Sequence, residues 1–201
     1  MSLDRGNGAV ERGGQSHGFD SDREQALVER VRQRDVRAFE ELYQRLYPRL
    51  SRFLANMLRR PTLVDEVLND TMMVVWERLD GFNGESKVST WVFAIAYRKA
   101  IRARGRADDP VEDRIGTADA TADGDPQGNA ERAHAGRALH RALDGLSPDH
   151  RTVVELTYFH DLGYREIAEI MACPVDTVKT RMFHARRHLK TLLIGDRSDW
   201  L

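Results

Sequence analysis

The sequence predicts an all-α protein built from two small helical domains joined by a flexible acidic linker. Apolar residues recur at spacings of three and four in both halves of the 201-residue chain, the signature of amphipathic helices. Helix-start signals precede several of these runs, Ser147-Pro148 being the clearest. Between the halves, residues 107–130 carry only Val111 and Ile115 as large apolar groups among many Asp, Ala, Gly and Thr. Such a stretch cannot build a core, and so long a structureless segment inside one domain is uncommon, so it marks a boundary. The expected organisation is a disordered tail at 1–20, a helical domain at 21–106, the linker at 107–130, a second helical domain at 131–195 and a tail at 196–201.

Residues 1–20 contain five glycines and little to bury. Ser21-Asp22-Arg23-Glu24 fits a capping box, with Ser21 as N-cap and Glu24 at N3. The first helix then carries Leu27 and Val31 on one face. A second helix is expected over Val36–Leu58, where Phe39, Leu42, Tyr43, Leu46, Leu50, Phe53, Leu54 and Met57 form a stripe. Pro48 lies inside it and predicts a kink or break. A third helix, Leu63–Leu79, buries Val64, Val67, Leu68, Thr71, Val75 and Leu79, and Gly81 is placed to end it. Its other face is acidic: Asp65, Glu66, Asp70, Glu77 and Asp80 against one base, Arg78.

Phe82-Asn83-Gly84-Glu85-Ser86-Lys87 is a loop by composition. A fourth helix starts near Ser89 with Trp91, Val92 and Ile95 on its apolar side. Arg98, Arg102 and Arg106 recur every fourth residue and line one row of its surface. Beyond the linker, Leu139, Leu143 and Leu146 share a stripe. Ser147-Pro148 opens a helix carrying Val153, Val154, Leu156 and Thr157. Tyr164–Met171 is a short helix with Ile167, Ala168 and Met171 inward, and Ala172-Cys173-Pro174 is a tight break. A last helix, about Val175 to Leu193, places Val178, Met182, Ala185, Leu189 and Leu192 on one side. Lys179, Thr180, Arg181, His184, Arg187 and His188 lie on the other.

The charge balance, 31 Lys and Arg against 32 Asp and Glu for a net −1, excludes a uniformly basic nucleic-acid binder. It conceals segregation. Lys87, Arg98, Lys99, Arg102, Arg104 and Arg106 form one block without acids, and Lys179, Arg181, Arg186, Arg187 and Lys190 form another. Seven acids and a single base lie between them, at 107–130. Positive blocks can hold phosphates through counterion release, although solvated helix faces also look like this. No run of about 18 apolar residues occurs, and the N-terminal stretch has no apolar core region, so neither a spanning helix nor a signal peptide is read. One cysteine excludes an internal disulfide framework and a multi-cysteine metal site. A cytoplasmic protein is expected.

A short helix, a three-residue turn and a longer basic helix make the helix-turn-helix arrangement. The apolar row anchors the second helix on the first, and the far face enters the major groove, where Arg and Lys reach guanine N7 and O6 or phosphates. Helix pairs of this kind occur in non-DNA folds too; the acid-free outer face favours DNA.

The C-terminal block resembles region four of bacterial sigma factors of the extracytoplasmic function family. The resemblance rests on Leu146-Ser147-Pro148, Arg151, Val153-Val154, Tyr164-Arg165-Glu166-Ile167-Ala168-Glu169-Ile170, Pro174-Val175-Asp176-Thr177-Val178-Lys179-Thr180-Arg181 and Ala185-Arg186. The N-terminal block looks like region two of the same family, through Ala38-Phe39-Glu40-Glu41-Leu42-Tyr43, Asp65-Glu66-Val67, Val75-Trp76, Phe82-Asn83-Gly84, Ser89-Thr90-Trp91 and Ile95-Ala96. The match covers about residues 22–194.

The resemblance implies transcription initiation: a protein, not itself an enzyme, that binds core RNA polymerase and promoter DNA. Region two would bind core and open the minus-ten element, and region four would read the minus-thirty-five element. Many family members are held inactive by a cognate anti-sigma factor, and such a partner is expected here. By the same resemblance Asp65, Glu66, Asp70, Trp76 and Asp80 face core polymerase, where carboxylates that repel phosphate would suit a cationic protein surface. Asn83, Glu85, Ser86 and Lys87 would form the pocket for an unstacked minus-ten base, and Arg98, Lys99, Arg102 and Arg106 would hold the strand's phosphates. Trp91 is either a stacking platform or, on its apolar row, a core tryptophan. Thr177, Lys179, Thr180, Arg181, Phe183, His184 and Arg187 would meet the minus-thirty-five element, Lys179 and Arg181 first; Arg186 and Arg187 either clamp phosphates or serve packing.

The chain departs from the family at several points. Asp176 stands where Gly is common, either capping the helix or shifting preference toward a cytosine amino group. Ala172 stands where Gly often makes the turn, so a left-handed residue there carries strain. Tyr97-Arg98 replaces a common Arg-Asn. Neither a metal nor another cofactor is expected: His184 and His188 are four apart but lack an evident third ligand. Cys173 has no resolving cysteine, and no nucleophile motif or phosphate loop is present. The alternative readings are a stand-alone helix-turn-helix regulator that binds duplex DNA without polymerase, and a helical interaction protein without DNA affinity.

Overall fold

The structure is a computed structural model that describes residues 16–58, 60–106, 136, 139 and 141–195. The expected linker at 107–130, the tail at 196–201 and residues 1–15 of the tail at 1–20 lie outside the described residues; residues 16–20, expected to be disordered, are helical and begin α1. Within them the protein is all-α. The helices are α1 (Ser16–Arg32), α2 (Val36–Leu58), α3 (Pro61–Arg78), α4 (Val88–Arg106), α5 (Pro148–Tyr158), α6 (Tyr164–Met171) and α7 (Val175–Gly195). A 3-10 turn at Leu79–Gly81 follows α3, and 141–144 is helical before α5.

Most boundaries follow from local chemistry. Pro61 opens α3, where its missing N–H costs nothing, so this helix starts two residues before the expected Leu63. Ser147 caps α5 and accepts the His150 N–H at 3.5 Å. Two expectations fail. Ser21 lies inside α1 instead of capping it, and Glu24 instead accepts the Ser89 N–H at 3.3 Å, tying α1 to the start of α4. Pro48 does not break α2, which runs unbroken through it. The apolar stripe on either side of Pro48, with Leu42, Leu46, Leu50, Phe53 and Leu54 all buried, holds the helix together where the proline costs it one hydrogen bond.

The N-terminal half packs α2, α3 and α4 around Phe53, Phe93, Leu50, Leu68, Val75 and Val92, with α1 against α2. The C-terminal half packs α5, α6 and α7 around Val153, Leu156, Ile167, Ile170, Val178 and Met182. These are not two isolated cores. The first half of α4 is buried nearly all round, from Val88 through Ala96 with only Trp91 partly exposed, because one side meets α2 and α3 and the other receives α6. A single buried apolar cluster therefore runs through both halves. Among the described residues no helix is long and apolar enough to cross a membrane.

Candidate nucleic-acid interface

The helix-turn-helix is set by α6, its turn and α7. Ala172 takes the left-handed conformation, φ 51° and ψ 49°, as expected for a residue standing in a glycine's place. Its N–H reaches the Ala168 and Glu169 carbonyls, and the Cys173 N–H bonds the Ala168 carbonyl at 3.0 Å. The Pro174 carbonyl then receives the Thr177 and Val178 N–H groups and starts α7. Glu166 closes the other end of α6, its Oε2 accepting the Gly163 N–H at 2.9 Å. Val178, Met182 and Ala185 are buried and anchor α7, while Leu189 is half-buried and Leu192 lies at the surface against Gly145.

The outer face of α7 carries the predicted residues unequally. Lys179, Thr180, Phe183, His184 and Arg187 are exposed, Phe183 at 64%. Lys179 pairs with Asp176 at 3.0 Å, and Thr180 donates to the Asp176 carbonyl at 2.9 Å, so Asp176 acts on its own helix in this state. Thr177 is half-buried. Arg181 is the exception: its guanidinium pairs with Asp149 in the first turn of α5, and Nη1 lies 3.7 Å from Cys173 Sγ. Arg186 donates to the Tyr158 hydroxyl at 3.1 Å, and its guanidinium carbon lies 5.8 Å from that ring's centroid. Burial, then the neighbouring His184 and Arg181, hold the His150 imidazole below its ordinary value. Among the described residues no group of three His, Cys, Asp or Glu is placed to hold a metal ion.

In the N-terminal half, the loop at 82–87 is shaped by Asn83, whose Oδ1 accepts the Glu85 N–H at 3.1 Å, and by Gly84 at φ 76°. Arg32 of α1 donates to the Phe82 carbonyl and braces the loop from behind. A groove of about 710 Å³ runs between this loop and α1, lined by Glu24, Glu29, Arg32, Asn83, Glu85 and Lys87 among others. Asn83, Glu85 and Lys87 are exposed and Ser86 half-buried. Trp91 is half-buried, its ring 5.6 Å from Phe82, which fits the core alternative. Arg98, Arg102 and Arg106 are exposed along α4 as a row. Lys99, which lies off that row, pairs with Asp70 of α3 at 3.1 Å.

Asp65, Glu66, Asp70 and Glu77 of α3, and Asp80 of the 3-10 turn that follows it, are exposed. Trp76 is half-buried between Phe39, 5.0 Å away, and Arg34, whose guanidinium lies 5.4 Å over its ring. Met73 is 55% exposed on the same helix, an apolar residue on this face that charge patterning did not single out.

The residues that bring the halves together have no local signal in the sequence. Glu166 Oε1 pairs with Lys87 at 3.0 Å and accepts the Thr90 hydroxyl at 3.2 Å. Burial alone would raise the Glu166 carboxyl, but the Gly163 N–H, Lys87 and Thr90 outweigh it and hold it below the ordinary value. His160, in the loop between α5 and α6, is buried between Phe53 of α2 and Phe93 of α4, with centroids at 5.9 and 5.1 Å. Its carbonyl accepts Arg49 Nη2 at 2.8 Å, and neither ring nitrogen has a hydrogen-bond partner.

Two family models match the chain: Sigma-70 region 2 over residues 42–109 and Sigma-70 region 4 over residues 136–189. The chain is 32% identical to an ECF RNA polymerase sigma-E factor of Haemophilus influenzae, over 83% of this chain and 93% of that protein. It is 29% identical to an RNA polymerase sigma-H factor of Pseudomonas aeruginosa, over 86% and 94%. Among solved structures it resembles CnrH in complex with the cytosolic domain of CnrY, with TM-score 0.64 and 25% identity over 86% of this chain and 98% of that one. It also resembles the sigma factor RpoE in complex with the anti-sigma factor NepR from Bartonella quintana, with TM-score 0.59 and 26% identity over 79% and 98%.

Proposed function

This chain belongs to the extracytoplasmic function family of RNA polymerase sigma factors, and from that premise we propose that it binds core RNA polymerase and directs promoter-specific initiation. The observation that carries the reading is the pairing of two blocks in the family's order: an exposed cationic row on the C-terminal half of α4, the helix that the loop at 82–87 leads into, and an exposed polar and cationic face on α7 of a helix-turn-helix. Residues 21–106 act as region two, 107–130 as the tether and 131–195 as region four.

In region two, Asp65, Glu66, Asp70 and Asp80 offer carboxylates to a cationic surface of core, with Trp76 and Met73 as apolar contacts beside them. Asn83, Glu85 and Ser86 supply hydrogen-bonding groups at a groove able to take an extruded base, while Lys87, Arg98, Arg102 and Arg106 attract the strand's phosphates. Lys99 serves α3 through Asp70 until that pair parts. In region four, Lys179, Thr180, Phe183, His184 and Arg187 face the groove of the minus-thirty-five element, with Thr177 at the entry of the helix. Arg181 joins them once it leaves Asp149.

The protein supplies recognition and leaves the chemistry to polymerase, which locates its action in the cytoplasm. Its partners are core RNA polymerase, promoter DNA and a cognate anti-sigma factor. The stand-alone regulator reading is not favoured, because region two has its own family match and an acidic helix unsuited to phosphate.

The test is run-off transcription. Purified chain added to core polymerase should yield transcripts from discrete promoters on genomic fragments, and should co-elute with core. Tight, specific duplex binding without core, together with no co-elution, would refute the reading.

A further inference from the structure

We propose that His150, His184 and His188 form a phosphate clamp on region four, which grips the DNA backbone at the minus-thirty-five element by taking up protons from solvent, so that promoter affinity rises as pH falls through neutrality. The inference rests on the sigma-factor reading for which duplex is bound. The clamp itself rests on where the three rings stand.

The imidazoles make one patch from two helices. The His150 ring, half-buried in the first turn of α5, lies 6.2 Å from the His184 ring on α7. Phe183 meets His184 edge to face at 5.5 Å, so that ring is flanked by two others. His188 follows one turn later, where side chains four apart are neighbours, and its charge reaches His150 too. His184 and His188 are exposed, as are Arg187 and Lys190 beside them.

Their place along α7 suits phosphates better than base edges. A recognition helix reads bases with its N-terminal residues. His188 stands about 16 Å along the axis from Thr177, at roughly 1.5 Å per residue, which exceeds the major groove's width of about 12 Å. A helix entering by its N-terminal end therefore leaves the groove through its second half, where side chains meet the backbone.

Without DNA the patch resists charging, because like charges oppose one another's protonation. His150 shows this: burial, then His184 and Arg181, hold its ring below the ordinary value, with His188 adding to them and Asp149 opposing. The carboxylates at hand are occupied. Asp149 pairs with Arg181, and Asp176, the one acid of α7, pairs with Lys179 about two turns from His184. Tyr97 of α4, which faces the Asp149–Arg181 pair, is raised by burial and then by Asp149, with Arg181 and Arg104 opposing, and stays a neutral phenol. A phosphate reverses the balance, since an anion within about 4–6 Å favours the charged imidazole. DNA binding and protonation then promote each other. Ser147 prepares one ring: its Oγ lies 2.9 Å from His150 Nδ1, so in the doubly protonated ring Nδ1 donates to the hydroxyl and Nε2 is the donor offered to a phosphate oxygen.

The test is fluorescence anisotropy of reconstituted holoenzyme on a labelled promoter fragment, at fixed ionic strength and then across a salt series, from pH 8 to pH 6. Affinity should rise about tenfold over that range, the effect of about one proton taken up over one pH unit, and the salt slope should steepen by about 0.9 for each imidazole that gains a phosphate. Replacing all three histidines by Gln should flatten both changes relative to the unmodified holoenzyme and leave the preference for a matched over a scrambled minus-thirty-five element intact, because phosphate contacts carry no sequence information. His184→Arg with His188→Arg should restore at pH 8 the affinity the unmodified protein shows at pH 6. A flat response in the unmodified protein, an unchanged response in the triple variant, or no gain from the arginines overturns the proposal. Should His150→Gln lower helix content by circular dichroism, His184→Gln with His188→Gln decides alone, and an undiminished pH response there overturns the clamp. If chain and core yield no promoter-specific transcript at any pH, the sigma-factor reading falls instead. The clamp is then judged by calorimetry of the full chain on a random duplex in two buffers of different ionisation enthalpy: proton uptake lost in the triple variant sustains it, and no proton uptake overturns it.

Discussion

The pairing of Arg181 with Asp149 makes a prediction that separates two roles for one carboxylate. In the structure the Arg181 side chain is 25% exposed and that of Asp149 43%, so the pair is partly wet and screened by salt. Pairs of this kind contribute about 0.2–1 kcal/mol. If Arg181 must leave Asp149 to reach a base edge, Asp149→Asn removes that cost and should raise promoter affinity by roughly 1.4- to 5-fold. Arg181→Ala should instead lower it by about 1–3 kcal/mol, roughly 5- to 150-fold, if the guanidinium contacts a guanine. The two effects are coupled, so in the Arg181→Ala background the Asp149→Asn gain should vanish. The assay is fluorescence anisotropy of reconstituted holoenzyme on a labelled promoter fragment, at one fixed ionic strength. Asp149 also lies in the first turn of α5, where a carboxylate stabilises the helix by about 0.3–1 kcal/mol, so a small loss in melting temperature accompanies the gain. A gain that persists without Arg181 would mean only that a negative charge near phosphate had been removed. A loss of affinity on Asp149→Asn would mean that Asp149 positions Arg181 for binding, and either result refutes the release argument.

Three further outcomes are expected. Ala172→Gly relieves a left-handed alanine costing about 1–2 kcal/mol, partly offset by the entropy glycine adds to the unfolded chain, so stability to urea should rise by about 0.5–1 kcal/mol; an equal or lower midpoint would refute the strain. Asp65→Lys combined with Glu66→Lys should weaken co-elution with core at least tenfold and leave the affinity of the free chain for duplex DNA no lower; retained core binding would remove the acidic helix from that interface. His160 supplies a pH dependence: burial, then Arg49 and Arg52, lower its imidazole from 6.5 to about 4. Protons bind the unpacked or unfolded form first, so the packing around His160 keeps its full strength well above pH 6.5 and weakens as pH falls toward 4, by about 1.6 kcal/mol between pH 6.5 and 5. Glu166, whose carboxyl is held low, adds its loss only below its ordinary range near 4.5. His150, whose charged neighbours His184, Arg181, Asp149 and His188 all lie in the C-terminal half, adds to this only on unfolding, so the decisive comparison is with His160→Phe, whose urea midpoint should depend less on pH across that window.

Helices and local sites were legible because their signals are local. The stripe from Phe39 to Met57, the Ser147-Pro148 cap and the row Val178, Met182, Ala185 each show within one or two turns of chain. The row Arg98, Arg102, Arg106 was legible for the same reason, and the structure leaves all three exposed. Where local signals misled, tertiary contacts had overridden them. Glu24 has its partner on α4 and not at its own helix end, and Pro48 is held in α2 by the packing on both sides. Lys99 and Arg181 read as DNA-facing cations by position, yet each has a carboxylate brought in from another helix. The seam between the halves was the least legible part. Phe93 and Ala94 complete a run of buried residues around α4 that a single apolar side does not require, and that surplus was the available hint. His160 and Glu166 gave none, since their partners lie more than 60 positions away.

Glu166 divides its two oxygens between separate tasks. Oε2 terminates α6 through Gly163, and Oε1 reaches across to Lys87 and Thr90. When the halves part, only the second set of bonds is exchanged for water, and the first stays in place. The cap of α6 is therefore independent of the contact between the halves, and the helix-turn-helix keeps its own hydrogen bonding whether or not that contact is made.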